Sequence, residues 1–250
     1  MTSSSAIQQL RQWVKHDSHP LARGLFSTIK ALRAWDFPAP KLVYAPLCWI
    51  FESTVSAVAH LLRVLVWTPM FKSKLARVGK GLYLYDGFPC TAGPLSIVIG
   101  DHCRVSGQTT ITGRTTGPVS PQLIMGNNVG LSWMTTLAVG RRIVLGDNVR
   151  IAGRCFLAGY PGHPLDAHDR AQGLPETDDQ VGDIILENDV WLGSGVSVMA
   201  GVTIGEGTVV GAGSIVTRSL PAHVLAAGNP ARVIRSLDSN TQRGEQHHAS

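Results

Sequence analysis

The chain has 250 residues, 44% of them hydrophobic and 16% charged, with a formal net charge of +5. That length admits one large domain or two small ones, and the composition excludes a disordered chain while favouring acidic partners only weakly. Four cysteines, Cys48, Cys90, Cys103 and Cys155, show no CxxC pairing, which excludes a zinc ribbon or disulfide framework and points to a reducing compartment.

The first residues, MTSSSAIQQLRQW, lack the apolar core and small-residue cleavage site of a signal peptide, so a cytoplasmic location is expected. Residues 38–46, PAPKLVYAP, end a first helical stretch. The apolar run that follows, LCWIFESTVSAVAHLLRVLVWTPM, is interrupted by Glu52, His60 and Arg63. Together with Ser56 these fall on one helical stripe, opposite Val55, Val58, Ala59, Leu62, Leu65 and Val66. Trp49 and Trp67 stand near its two ends and KSKLAR lies just beyond. The pattern predicts an amphipathic helix over residues 48–68, with two placements open. It lies at a membrane interface, peripheral on the inner face of the cytoplasmic membrane, or it packs against the rest of the chain.

Glycine marks the next boundary, because 23 of the 27 glycines lie at or after Gly93. Three regions are expected: 1–92 helical, 93–235 built of short strands and turns, and 236–250 a polar disordered tail. In the middle region aliphatic residues return every six positions. One run is Leu186, Leu192, Val198, Ile204, Val210 and Val216; others are Met125, Leu131, Leu137, Ile143 and Leu145, Ile151, Leu157, with Ile99, Val105, Ile111 upstream. A helix repeats near 3.6 and a strand near 2, so a period of six means a short strand and a corner. A small residue or valine four positions on, such as Cys103, Val129, Cys155 or Val196, is expected to point inward too. Glycine often follows the aliphatic residue, as at Gly126 or Gly193, and is read as supplying the sharp turn. The fold class predicted is an all-β solenoid, a triangular parallel β-helix of about six coils with an N-terminal helical extension.

The ladder breaks between Leu157 and Leu186, where a loop of about 25 residues contains HPLDAHDR. Long ordered loops in tight folds usually carry function. This loop pattern, H-P-x(5)-R, is followed by DVWLGSGVSVMAGVTIGEGTVVGAGSIVTRSLPAHVLAAGNPARVIR. Over residues 125–235 the chain resembles the hexapeptide-repeat acyltransferases, in particular the galactoside and maltose O-acetyltransferase group and related polysaccharide acetyltransferases. The resemblance implies a left-handed coil; the period cannot, and the general preference for right-handed crossovers points the other way.

The resemblance also implies an activity. Acetyl-coenzyme A is the expected acyl donor and a saccharide hydroxyl the acceptor, with His163 as general base. Histidine suits that role because its unperturbed pKa, about 6.5, leaves a neutral base near pH 7. Ser194 and Ala212 match the pantetheine contacts; Thr217 with Arg218, and Arg232 with Arg235, match the residues around the nucleotide. Arg170 and Ser132 match acceptor-side positions, Ser132 standing where close relatives have an asparagine. The loop histidine also falls one residue later than in those relatives. Both departures bear on the acceptor. The family further implies a homotrimer with active sites between subunits. Three other readings stay open: transfer to an amine of an amino-sugar, transfer to a xenobiotic, and a non-catalytic solenoid used for assembly. No metal is expected, since His102 is the one histidine within a hexad, and no nucleic-acid partner is expected.

Overall fold

The computed structural model describes residues 3–16 and 18–237. By internal contacts the chain divides into two units, residues 1–55 and 56–250. In the first, α1 (Ser3–His16) and α2 (Pro20–Arg33) pack against each other. His19 caps α2, its Nδ1 accepting from the Leu21 amide at 3.2 Å, with Pro20 at the first helical position. The next helix, α3 (Lys41–Leu62), continues through a π-helical turn (Arg63–Trp67) into α4 (Thr68–Lys72). Lys41–Lys72 is long and apolar enough to cross a membrane, and none of its apolar window is buried.

In the second unit, eighteen strands make six three-sided coils. They are β1 (Arg77–Val78), β2 (Tyr83–Tyr85), β3 (Cys90–Ala92); β4 (Ser96–Ile99), β5 (Arg104–Ser106), β6 (Thr110–Gly113); β7 (Gln122–Met125), β8 (Gly130–Leu131), β9 (Thr136–Val139); β10 (Arg142–Leu145), β11 (Arg150–Ile151), β12 (Phe156–Ala158); β13 (Ile184–Leu186), β14 (Trp191–Leu192), β15 (Ser197–Met199); β16 (Thr203–Ile204), β17 (Val209–Val210), β18 (Ile215–Val216). Successive strands go to three different sheets, and every third strand pairs in parallel with its predecessor. A hairpin, β19 (Val224–Gly228) with antiparallel β20 (Ala231–Ser236), extends the second sheet. Between β12 and β13 the loop holds a one-turn helix, α5 (Ala167–Ala171).

The six-residue ladder is the core. In register, Met125–Leu145–Leu186–Ile204 line one side, Leu131–Ile151–Leu192–Val210 the second and Leu137–Leu157–Val198–Val216 the third. Every one of these is buried, as are Cys103, Val129, Cys155 and Val196 at the positions four later.

The glycines after the aliphatics work differently from the expectation. None of Gly100, Gly126, Gly146, Gly193, Gly205 and Gly211 has a positive φ; that angle falls two residues later, at His102, Asn128, Asn148, Gly195, Gly207 and Gly213. The glycines are there for close approach. A Cβ on Gly126 would stand 2.4 Å from Asp147 Oδ1, and one on Gly205 2.4 Å from the Ala222 amide nitrogen. Where the left-handed residue is asparagine, its side chain also ties coil to coil, Asn128 Nδ2 donating to Asn148 Oδ1 at 2.8 Å and Asn148 Nδ2 to Asp189 Oδ1 at 2.9 Å.

The structure moves one expected boundary in the N-terminal third and decides which helical face meets the coil. The helical region ends at Lys72 and the first coil occupies residues 77–92, ahead of the expected boundary at 92. Its hexad ladder was cryptic because, after Val78 and Leu84, the third side presents Thr91, which pairs with Ile111. Terminal repeats are commonly atypical in this way. Of the two placements left open for residues 48–68, packing on the coils is seen from Ser56 onward, but not through the apolar stripe. Val58, Leu62, Leu65 and Val66 stay exposed, and the polar stripe turns inward: Ser56, His60 and Arg63 line a cleft with Tyr83 and Tyr85, the Arg63 guanidinium lying 4.5 Å above the Tyr83 ring. Beyond it, Trp67 and Phe71 reach the core. Most of the expected polar tail, residues 238–250, lies outside the described residues.

Candidate active site

The loop leaves β12 and carries His163 to an exposed position, with Pro164 buried beside it. Asp166 caps α5, accepting from the amides of His168 at 2.8 Å and Asp169 at 3.0 Å. From the helix Arg170 reaches back and donates through Nη1 to the carbonyls of Pro164, at 2.9 Å, and Leu165. The H-P-x(5)-R spacing is therefore one capped helical turn closed by its own arginine, which fixes the backbone just after His163. Arg170, matched to an acceptor-side position, engages the loop itself. His163 has no hydrogen-bond partner among the described residues, so its imidazole is open to a ligand.

The far end of the loop is anchored by a buried pair. Arg114, just past β6, donates through Nε to Glu176 Oε1, through Nη2 to the Glu176 carbonyl at 3.2 Å, and through Nη1 to Asp178 Oδ1 at 2.6 Å. Thr116 Oγ1 adds a bond to Glu176 Oε1 at 2.9 Å. Burial pushes the Glu176 carboxyl up, but the bonds from Arg114 and Thr116 outweigh it and hold the group below its ordinary value. The reading of the sequence missed this anchor: its members are 62 positions apart, and nothing in their local pattern pairs them.

The other expected residues fall on two edges of the coil. Register places Ser132, Ala152, Gly193 and Gly211 in one column, and Trp133, Gly153, Ser194 and Ala212 in the next, along the edge between the second and third sheets. The coils are laced there by Ser132 N to Ile151 O at 3.0 Å and Gly213 N to Ser194 O at 2.8 Å. Ser194 and Ala212 are exposed on successive coils; Ser132, half-buried, lies two coils below Ser194. Thr217 and Arg218, also exposed, follow β18 on the edge from which the His163 loop departs. One side of the coil, about five residues of chain, separates the two edges, on the order of 15 Å at roughly 3.3 Å per residue. One chain thus brings Ser132, Ser194 and Ala212 to one edge and His163, Thr217 and Arg218 to another. Arg232 and Arg235 stand exposed on β20, beside the second sheet.

A cavity of about 410 Å³ opens on the second sheet. Ser132 is on its wall with Tyr85, Arg104, Gly130, Arg150 and Trp191, none of which except Ser132 was anticipated. Outward-pointing positions of different hexads meet there, a proximity set by register alone. Cys103 and Cys155 are buried, and burial pushes both thiols up, as befits small core residues without nucleophilic character. Among the described residues no group of three or more His, Cys, Asp or Glu could hold a metal ion.

Residues 183–218 match the family described as "Bacterial transferase hexapeptide (six repeats)". Over those residues, which make up the last two coils, the chain is similar to that family. Among curated relatives, a Saccharomyces cerevisiae protein described as a candidate acetyltransferase is 38% identical over 122 residues, covering 48% of this chain and 60% of its own length. A Staphylococcus aureus candidate acetyltransferase is 41% identical over 133 residues, 46% of this chain and 65% of its own. The galactoside O-acetyltransferase of Escherichia coli is 40% identical over 114 residues, 46% of this chain and 54% of its own. The chain thus spans between about half and two thirds of the length of these relatives. Among solved structures, a variant of a Bacillus cereus N-acyltransferase crystallised with dTDP and coenzyme A superposes with a TM-score of 0.55 at 21% identity, covering 72% of this chain and 94% of that one. The coil therefore shares that fold, and the likeness implies a left-handed winding.

Proposed function

We propose that the protein transfers an acetyl group from acetyl-coenzyme A to a hydroxyl of a saccharide, a cell-surface polysaccharide or its precursor. The observation that carries this is the exposed, unpartnered His163 on a loop fixed by Arg170 and Arg114, in a chain about 40% identical over its hexapeptide region to a galactoside O-acetyltransferase. His163 takes the proton of the sugar O–H as that oxygen forms a bond to the thioester carbonyl carbon. The tetrahedral adduct collapses with loss of the coenzyme A thiolate, which recovers the proton from the imidazolium. Ser194 and Ala212 contact the pantetheine arm, and Thr217, Arg218, Arg232 and Arg235 the nucleotide end, guanidinium groups suiting phosphates. Since His163 and Arg218 lie on a different edge from Ser132, Ser194 and Ala212, a neighbouring copy completes each site. The active form is a homotrimer.

The test is His163→Ala. General-base catalysis contributes typically about 10²–10⁴-fold, so kcat should fall by that order while the acetyl-coenzyme A Kd stays near that of the unaltered protein. Near-normal turnover would move the base elsewhere, His168 first; absence of any acetyl-coenzyme A binding would favour a non-catalytic assembly role. Amino-sugar acceptors in the same assay test amine against hydroxyl.

The helix Lys41–Lys72 supports peripheral attachment to the inner face of the cytoplasmic membrane. Its apolar residues stay exposed in aqueous surroundings that would penalise them, and tryptophans and lysines flank them. Arg63 is engaged with Tyr83, so the informative substitution is Leu65→Glu, at a side chain 70% exposed. It should weaken sedimentation with anionic phospholipid vesicles. Equal sedimentation of both forms, or none of either, overturns the attachment.

A further inference from the structure

We propose that the acceptor saccharide is anionic, carrying a carboxylate or a phosphate, and that Arg104 and Arg150 recognise that charge. The inference rests on the saccharide reading above and names the substrate class of that site. Along the outer face of the second sheet Arg104, Gly130, Arg150 and Trp191 stand in register on four successive strands. Neighbouring strands are about 4.8 Å apart, so the two arginines leave the backbone roughly 10 Å from each other. Gly130 sits between them, and a Cβ there would already touch Arg150 Cδ at 3.4 Å. Glycine thus leaves room for the Arg150 side chain to lie across that strand toward Asn128, and both arginines line the cavity of about 410 Å³.

The charge in that cavity is uncompensated. No carboxylate lines it. Arg104 has no ion pair or side-chain hydrogen bond among the described residues, and Arg150 is steadied there only by neutral acceptors, the Asn128 carbonyl, the Asn128 Oδ1 at 3.0 Å and the Val149 carbonyl at 3.3 Å. Uncompensated like charges in a cleft concentrate anions, and a guanidinium fork matches a carboxylate or phosphate in two bonds. Trp191 at one end is 54% exposed and offers a flat apolar face of the kind a pyranose ring covers; Tyr85 at the other is steadied by its hydroxyl, which donates to Leu131 O at 3.0 Å. Ser132 connects this cavity to the edge that bears Ser194 and Ala212, so a ring held here presents a hydroxyl toward the thioester side. A neutral sugar would leave the positive charge of the two guanidinium groups without a counter-charge.

The experiment compares glucose, glucuronate and glucose 1-phosphate as acceptors, with release of free coenzyme A thiol as readout, alongside calorimetric binding of the two anions to the full chain. The anionic acceptors should exceed glucose in kcat/KM by on the order of ten- to a hundredfold, the value of a hydrogen bond to a charged group. Arg104→Gln should shrink that ratio toward one, and Arg104→Lys should restore part of it. A carboxylate source favours glucuronate and a phosphate source glucose 1-phosphate; either supports the proposal. Equal or better use of glucose, with no anion binding by calorimetry, overturns the anionic class while leaving saccharide acetylation standing. Anion binding without acetyl-coenzyme A binding or transfer to any sugar overturns the acetyltransferase reading, and the acceptor assignment with it.

Discussion

Replacing Glu176 by glutamine keeps the shape of the loop anchor and removes its charge. Arg114 and Glu176 have side chains only 6% and 5% exposed, so the guanidinium would lose its main partner in a place water barely reaches. Breaking a buried pair from one side costs about 3–5 kcal/mol. Asp178, 59% exposed and 2.6 Å from Arg114 Nη1, remains as a second partner, which puts the cost at the low end, about 3 kcal/mol. Spread over the whole 56–250 unit, that loss would lower Tm by roughly 6–12 °C, at about 2–4 °C per kcal/mol for a domain of this size. We expect the loop to absorb it instead, because the segment between β12 and β13 contributes no strand to any sheet and can open while the ladder stays closed. Three kcal/mol is about a hundredfold in the population of the open loop, and cleavage of a transiently open segment follows that population. Limited proteolysis within residues 160–180 should accelerate by about that factor with Tm nearly unchanged. A Tm drop of the calculated size would refute the local account; no change in either quantity would mean the pair contributes nothing.

The same anchor has a pH signature. Because Glu176 is held below its ordinary value, about 4.5, its contribution is complete above that pH and is lost as pH falls through the lower folded-state value. Acid-induced protease sensitivity of the loop should therefore appear below pH 4.5 in the native sequence and be much reduced in Glu176→Gln, which is measured by the same digestion. Leu157→Ala removes a fully buried member of the third-side column and should cost about 2–5 kcal/mol, read as a fall in the denaturant midpoint. Maleimide should label Cys48 and Cys90, which are exposed, and spare Cys103 and Cys155 until the coil unfolds; mass spectrometry showing four labels on folded protein would contradict their core placement. Arg218→Ala should raise the Kd of acetyl-coenzyme A with a smaller effect on the chemical step, by calorimetry and single-turnover assay.

The coil was legible in the sequence because each hexad solves the same local problem, one inward aliphatic and one small residue per side, so period alone fixes which residues are core. The loop could be read for the complementary reason: twenty-five residues without the period cannot be a coil, and H-P-x(5)-R is a local device closed by Asp166 and Arg170 within itself. The purpose of the glycine after each aliphatic was misread because close approach depends on the next coil, about twenty residues or more away, and not on the chain's own turn. Pairings that join different coils were out of reach altogether. Arg114 meets Glu176, and Arg104 faces Arg150 across Gly130, only because stacking register aligns positions with no local relation. Stacking likewise decided that His163 and Ser194 stand on different edges, and that the stripe facing the coil in residues 56–63 is the polar one. Local period sets what points inward; only the stacked coil determines what meets on its surface, and that surface is where a donor and an acceptor would bind.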